Sequence, residues 1–93
     1  MAKTPVAILI SGRGSNMDAI IQACLNDDCD AEVKVVISNN PHAQGINIAK
    51  SYGITTFALD ISEFASKMEY EEDIVRILKG HNIEIVCLAG YMR

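Results

Sequence analysis

The sequence predicts an α/β fold, a parallel sheet with crossover helices, from three observations. Short apolar runs rich in β-branched residues recur along the chain, stretches with helical spacing of apolar residues separate them, and glycines mark several of the junctions. Four strands joined through three helices imply parallel pairing and right-handed crossovers.

The first run, VAILI (residues 6–10), is short, continuous and mostly β-branched, as expected of a strand covered on both faces. Beyond it Met17, Ile20, Ile21, Cys24 and Leu25 recur at helical spacing, which predicts one apolar helix face. Ser15 is expected to cap that helix, with Asp18 three residues on at the capping-box position. EVKVVIS (32–38) reads as a second strand, and NNPHAQG (39–45) as the loop leaving it. A short helix then directs Ile46, Ala49 and Tyr52 inward and stops at Gly53, where a positive φ is needed. ITTFAL (54–59) is the third strand. The third helix, 66–79, carries acids in its earlier turns and Arg76 and Lys79 near its end, a polarity matched to the helix dipole. Met68, Ile74, Ile77 and Leu78 supply much of its inner stripe, Gly80 ends it, and IEIVCLAG (83–90) is the fourth strand.

Composition narrows the function. At 93 residues the chain is at most one small domain, taken here as 1–93, with 49% apolar and 22% charged residues as in ordinary globular sequences. A formal net charge of -4 argues against a nucleic-acid surface, which needs clustered Lys and Arg. No apolar run approaches the roughly 20 residues that span a bilayer, so no membrane partner is expected. Cys24, Cys29 and Cys87 are an odd number without a secretory leader, which fits a reduced, cytoplasmic protein. Cys24 and Cys29 lack the second pair that would complete a metal site, and Cys24 and Cys87 fall at apolar positions expected in the core.

Ligands of open parallel sheets bind outside the carboxyl ends of the strands. SGRGSN (11–16), SNNPHAQG (38–45) and AGYMR (89–93) are therefore the candidate walls of a site. The first is a glycine-rich turn entering a helix, where unpaired N–H groups and the dipole suit a phosphate. Gly12 and Gly14 allow close approach, while Ser15 and Asn16 add a hydroxyl and an amide. The same glycines would also serve simply to make the turn. A dinucleotide fingerprint would need a small residue at Met17 and an acid after the second strand, where Ser38, Asn39 and Asn40 stand instead. A P-loop would need a lysine that the turn lacks. Asn40, Pro41 and His42 have Asn-x-His spacing but read as a turn, and His81, beside Gly80, reads as a helix C-terminal cation.

ILISGRGSNMDAII (8–21), VVISNNPHAQGINIAKSYGI (35–54) and IVCLAGYMR (85–93) together resemble the phosphoribosylglycinamide formyltransferase family, in family order and spacing across essentially the whole chain. The resemblance implies a formyltransferase, Rossmann-like fold, of which these residues form the amino-terminal half. It implies an enzyme of purine biosynthesis that moves a formyl group from 10-formyltetrahydrofolate to the amine of glycinamide ribonucleotide. Gly14, Ser15 and Asn16 then become the substrate-phosphate contacts, with Gly12 and Arg13 shaping the turn. Met92 and Arg93 match the start of the folate pocket, and Lys67 matches a basic position near cofactor or phosphate. No metal is implied. The Asn-x-His motif and aspartate that act on the formyl group are expected downstream of Arg93, so the 93 residues alone are expected to be inactive. A sugar-phosphate or nucleotide-binding module, or another formyltetrahydrofolate-using transferase or hydrolase, are the competing readings. The fourth strand, central in a complete sheet, is expected to leave an edge open to self-association or a homodimer.

Overall fold

The computed structural model describes residues 3–12, 14–26 and 30–89. It contains β1 (Thr4–Ile10), α1 (Ser15–Leu25), β2 (Ala31–Ser38), α2 (Gln44–Ser51), β3 (Thr55–Ala58), a 3-10 turn (Ile61–Glu63), α3 (Lys67–Gly80) and β4 (Ile85–Leu88). The strands form one sheet in the order β3-β2-β1-β4, and every pairing is parallel. All four expected strands and three expected helices are present, with β3 and β4 shorter than the apolar runs that announce them.

Two apolar layers cover the sheet. On one face Val6, Ile8, Ile10 and Val36 meet Met17 and Ile21 of α1 and Ile46 and Ala49 of α2. On the other, Ala7, Leu9, Val35 and Ile37 meet Tyr70 and Ile74 of α3. Val6–Ile10 of β1 and Val35–Ile37 of β2 are covered on both sides and are continuously apolar, whereas Ala31–Lys34 alternates with exposed Glu32 and Lys34. The ladder between β1 and β2 slips once, with Val6 opposite Val33 but Ala7 opposite Val35. Lys34 is the extra residue. The bulge explains how Val33 and Val35, two apart, contribute to opposite faces.

Several expected inward positions point elsewhere. Leu25 is 63% exposed and Met68 69% exposed, while Tyr70, absent from the predicted stripe, is fully buried. Tyr70, Ile74, Ile77 and Leu78 make the inner face of α3, and that spacing of four, three and one excludes Met68 from it. Ser66 caps α3 by accepting from the Glu69 N–H at 3.2 Å. The helix ends one step later than Gly80 suggested: the left-handed residue is Asn82, at φ 56°, and the His81 ring lies edge-on to Phe57. Gly53 has the expected positive φ of 76° after α2.

β1 and β2 are interior, whereas β4 pairs only with β1 among the described strands and exposes Ile85, Val86 and Leu88. The chain runs from β1 outward to β3 and then returns across β1 to β4. The strand order therefore reverses between β1 and β4, and open parallel sheets bind ligands at the carboxyl edge of such a reversal.

Candidate functional site

The glycine-rich turn lies at that reversal. Ile10 ends β1, Gly14 is the residue before α1 with φ 78° and ψ 24°, and Ser15 opens the helix. Ser15 is not the cap expected of it: no side-chain hydrogen bond caps α1, and the left-handed glycine takes the N-cap position. This frees the Ser15 hydroxyl from the helix end. Ser15 and Asn16 are both exposed. Asp18 N–H donates to Gly14 O at 2.8 Å and begins the helical ladder, so the N–H groups of residues 15–17 precede it and face the helix entrance.

Of the sequence-nominated residues, the structure brings Gly12, Gly14, Ser15 and Asn16 together at one sheet end. Gly12 is exposed, and a Cβ there would meet no described heavy atom within 4 Å. Gly14 is buried and closely packed, since a Cβ on it would stand 2.8 Å from the Gly45 Cα and 3.1 Å from the Met17 Cε. Lys67 is exposed at the first position of α3, and because α3 runs back between parallel strands it begins toward the same carboxyl edge. Arg13, Met92 and Arg93 lie outside the described residues, as does Cys29. Ala89 N–H donates to Leu9 O at 3.0 Å, so the residue after β4 lies beside the end of β1.

A second loop braces the turn, and sequence reading missed its key residue. Gly45, in the first turn of α2, donates its N–H to Gly12 O at 3.1 Å. Asn39 N–H reaches Ile10 O at 3.3 Å, and Asn40 Nδ2 reaches Ser11 O at 3.5 Å. Buried Ser38 shapes this loop, its Oγ donating to Asn40 O and accepting from Asn40 N–H. His42 is exposed, and its N–H donates to Asn40 Oδ1 at 2.9 Å, the turn that its sequence predicted. Asp60, after β3, is held below the ordinary carboxylate value first by the Ser62 hydroxyl, then by the Ser62 N–H, and more weakly by the charge of His42. Asp60 and Ser62 follow β3, the edge strand that β2 separates from β1. The signal for Gly45 was a glycine in the first turn of a helix, where it weakens the helix and so calls for a reason.

A clamp on the outside joins α1 to the end of α2. Tyr52 hydroxyl donates to Asp18 Oδ1 at 2.6 Å, and Gln22 Nε2 lies 3.3 Å from Asp18 Oδ2. Tyr52 is thus not an inward residue but an outer tie. The Asp18 bond raises the Tyr52 pKa above its ordinary 10.0. A raised value means the folded protein holds the phenolic proton more tightly, so the stabilisation is complete below about pH 10 and is lost as pH rises through the folded pKa. Tyr52→Phe is therefore expected to melt slightly below wild type at about pH 8, with the gap closing as pH rises through the raised tyrosine pKa. Melting curves across that range check it, and a gap that widens with pH contradicts it.

A concavity of about 690 Å3 opens at the opposite, amino edge of the sheet, between the ends of α1 and α2. Its lysines are engaged: Lys3 Nζ donates to Cys24 O at 3.1 Å and Lys34 pairs with Glu32 at 3.3 Å. It supplies no groups to the turn. Among the described residues no three His, Cys, Asp or Glu side chains could hold a metal ion, and no helix is long and apolar enough to cross a membrane.

The formyl transferase family model matches residues 4–93. The chain belongs to this family. It is 38% identical over 88 residues to phosphoribosylglycinamide formyltransferase of Escherichia coli, covering 95% of this chain and 42% of that protein. It is 36% identical over 91 residues to the trifunctional purine biosynthetic protein adenosine-3 of Gallus gallus, covering 98% of this chain and 9% of that protein. Among solved structures, phosphoribosylglycinamide formyltransferase from Brucella melitensis superposes with a TM-score of 0.94 at 41% identity, over 98% of this chain and 47% of that one. The chain thus spans less than half the length of these relatives. The formyl transferase family fold that the sequence motifs implied is the one observed.

Proposed function

We propose that these residues form the phosphate-binding part of a phosphoribosylglycinamide formyltransferase. The observation that carries the reading is the turn itself. Left-handed Gly14 delivers the chain into α1 at the β1–β4 reversal, where Ser15 and Asn16 are exposed in the first turn beside the first helical N–H groups. That set suits a dianionic phosphate, with neutral donors and the helix dipole in place of a lysine. The likeness to relatives named for this activity supports the ribonucleotide as the phosphate's bearer.

In this reading Gly14, Ser15 and Asn16 hold the substrate phosphate, and Gly12 and Arg13 shape the turn. 10-Formyltetrahydrofolate is the second substrate and supplies the formyl group. Met92 and Arg93, just beyond the end of β4, begin its pocket, and Lys67 lends a cation from the start of α3. The work of the described residues is to bind and orient the ribonucleotide so that its amine meets the formyl carbon, and such fixation lowers the barrier by removing translational freedom beforehand. The groups that stabilise the oxyanion and move the proton are assigned to the family's downstream Asn-x-His motif and aspartate. Cys24 and Cys87 stand as reduced cysteines, which suits a cytoplasmic setting.

Titration with glycinamide ribonucleotide, ribose 5-phosphate and NAD tests the reading. Glycinamide ribonucleotide should bind with affinity that falls roughly tenfold or more in Asn16→Ala, the expected loss of one hydrogen bond to a charged group. Preference for NAD would overturn it.

A further inference from the structure

We propose that Gly45 is a positioning residue for the phosphate turn, setting from the neighbouring helix the conformation that Gly12 and Gly14 adopt. The inference rests on the phosphate reading of that turn. It starts from a conflict. Glycine is among the weaker helix formers, yet Gly45 occupies the first turn of α2 and is buried there.

The space where a side chain would stand is already filled. A Cβ on Gly45 would collide with the Ile10 Cδ1 and would lie 3.3 Å from both the Gly12 carbonyl oxygen and the Gly14 Cα. The first neighbour is the end of a core side chain. The other two are backbone atoms of the turn. The Gly45 N–H meanwhile donates to that same Gly12 oxygen at 3.1 Å. The bare Cα lets α2 come close enough for this bond, and the bond fixes the peptide plane that follows Gly12. Gly14 is held from the same side, since its own missing Cβ would face the Gly45 Cα and, at 3.7 Å, the Gly45 nitrogen. A methyl group at 45 must therefore push on the turn as well as on Ile10, and the N–H groups entering α1 turn with it.

Core packing and turn positioning can be separated because Ile10→Val removes the Cδ1 while leaving the turn backbone in place. The experiment compares wild type, Gly45→Ala, Ile10→Val and the double variant by thermal unfolding, by titration with glycinamide ribonucleotide, and by amide spectra. The double variant should recover the melting temperature of Ile10→Val alone yet still bind the ribonucleotide at least roughly tenfold more weakly, as for one lost charge-assisted bond. Recovery of affinity together with stability would overturn the proposal. Wild-type failure to bind would instead sink the phosphate reading, and the Gly45 inference is then decided by the amide signals of Gly12, Ser15 and Asn16. Displacement of these signals in the double variant supports it, and unchanged signals overturn it. A wild-type measurement needs no variant to fold: the Gly45 amide should shift with Ser15 and Asn16 as ribonucleotide is added, and a Gly45 amide that stays put while those of Ser15 and Asn16 respond overturns the proposal.

Discussion

Gly14→Ala is expected to cost about 2–4 kcal/mol of stability, the sum of a left-handed conformation imposed on an L-residue and a methyl group forced into packed backbone. Both terms come from one position. Gly14 has φ 78°, and the added Cβ would stand 2.8 Å from the Gly45 Cα, an atom that cannot rotate aside as a side-chain end would. Gly53 is the natural control. Its φ is nearly the same, 76°, but an added Cβ would meet no described atom within 4 Å, so Gly53→Ala is expected to cost about 1 kcal/mol from conformation alone. Denaturant titration of the two variants isolates the steric part as their difference. Equal losses would mean that the Gly14–Gly45 approach relaxes freely. On the proposed phosphate reading, Gly14→Ala should also abolish ribonucleotide binding in the folded fraction, because relief of the clash displaces Ser15 and Asn16.

This position also shows what sequence could and could not reveal. The turn was legible because two glycines between an apolar strand and an amphipathic helix have few other uses. Its partner was not. Gly45 is 31 residues from Gly14 and follows a different strand, so only the order β3-β2-β1-β4 makes them neighbours, and no local pattern encodes that order. Ser15 was read as a cap from its residue type, although the glycine before it does that work through φ rather than through a side chain. The same limit appears at Tyr52, whose apolar ring fitted an inward position while its hydroxyl found Asp18 outside. Helix existence followed from periodicity, but helix rotation depended on which neighbours the sheet supplied.

Tyr70→Ala is expected to have the largest effect on stability, about 3–5 kcal/mol, as for truncation of a large buried aromatic. Tyr70 is fully buried among Leu9, Val35, Ile37 and Ile74, and its ring meets Phe64 edge-on at 5.4 Å. Sequence spacing favoured Met68 for this stripe, and the contrast is a test in itself: Met68→Ala, at 69% exposure, should change stability by less than about 0.5 kcal/mol. Tyr70→Phe keeps the ring and should cost about 1 kcal/mol, which assigns most of the loss in the alanine variant to packing rather than to the hydroxyl. Function should follow stability here for a geometric reason. α3 is the crossover that brings β4 back beside β1, and the β4–β1 pairing defines the reversal at which the turn carrying Ser15 and Asn16 lies. Loosening α3 should therefore weaken ribonucleotide binding only in proportion to unfolding, whereas Gly14→Ala weakens it in protein that is still folded. Binding measured against denaturant for the two variants distinguishes them, and a Tyr70→Ala protein that stays folded but binds poorly would place part of the site on the α3 face.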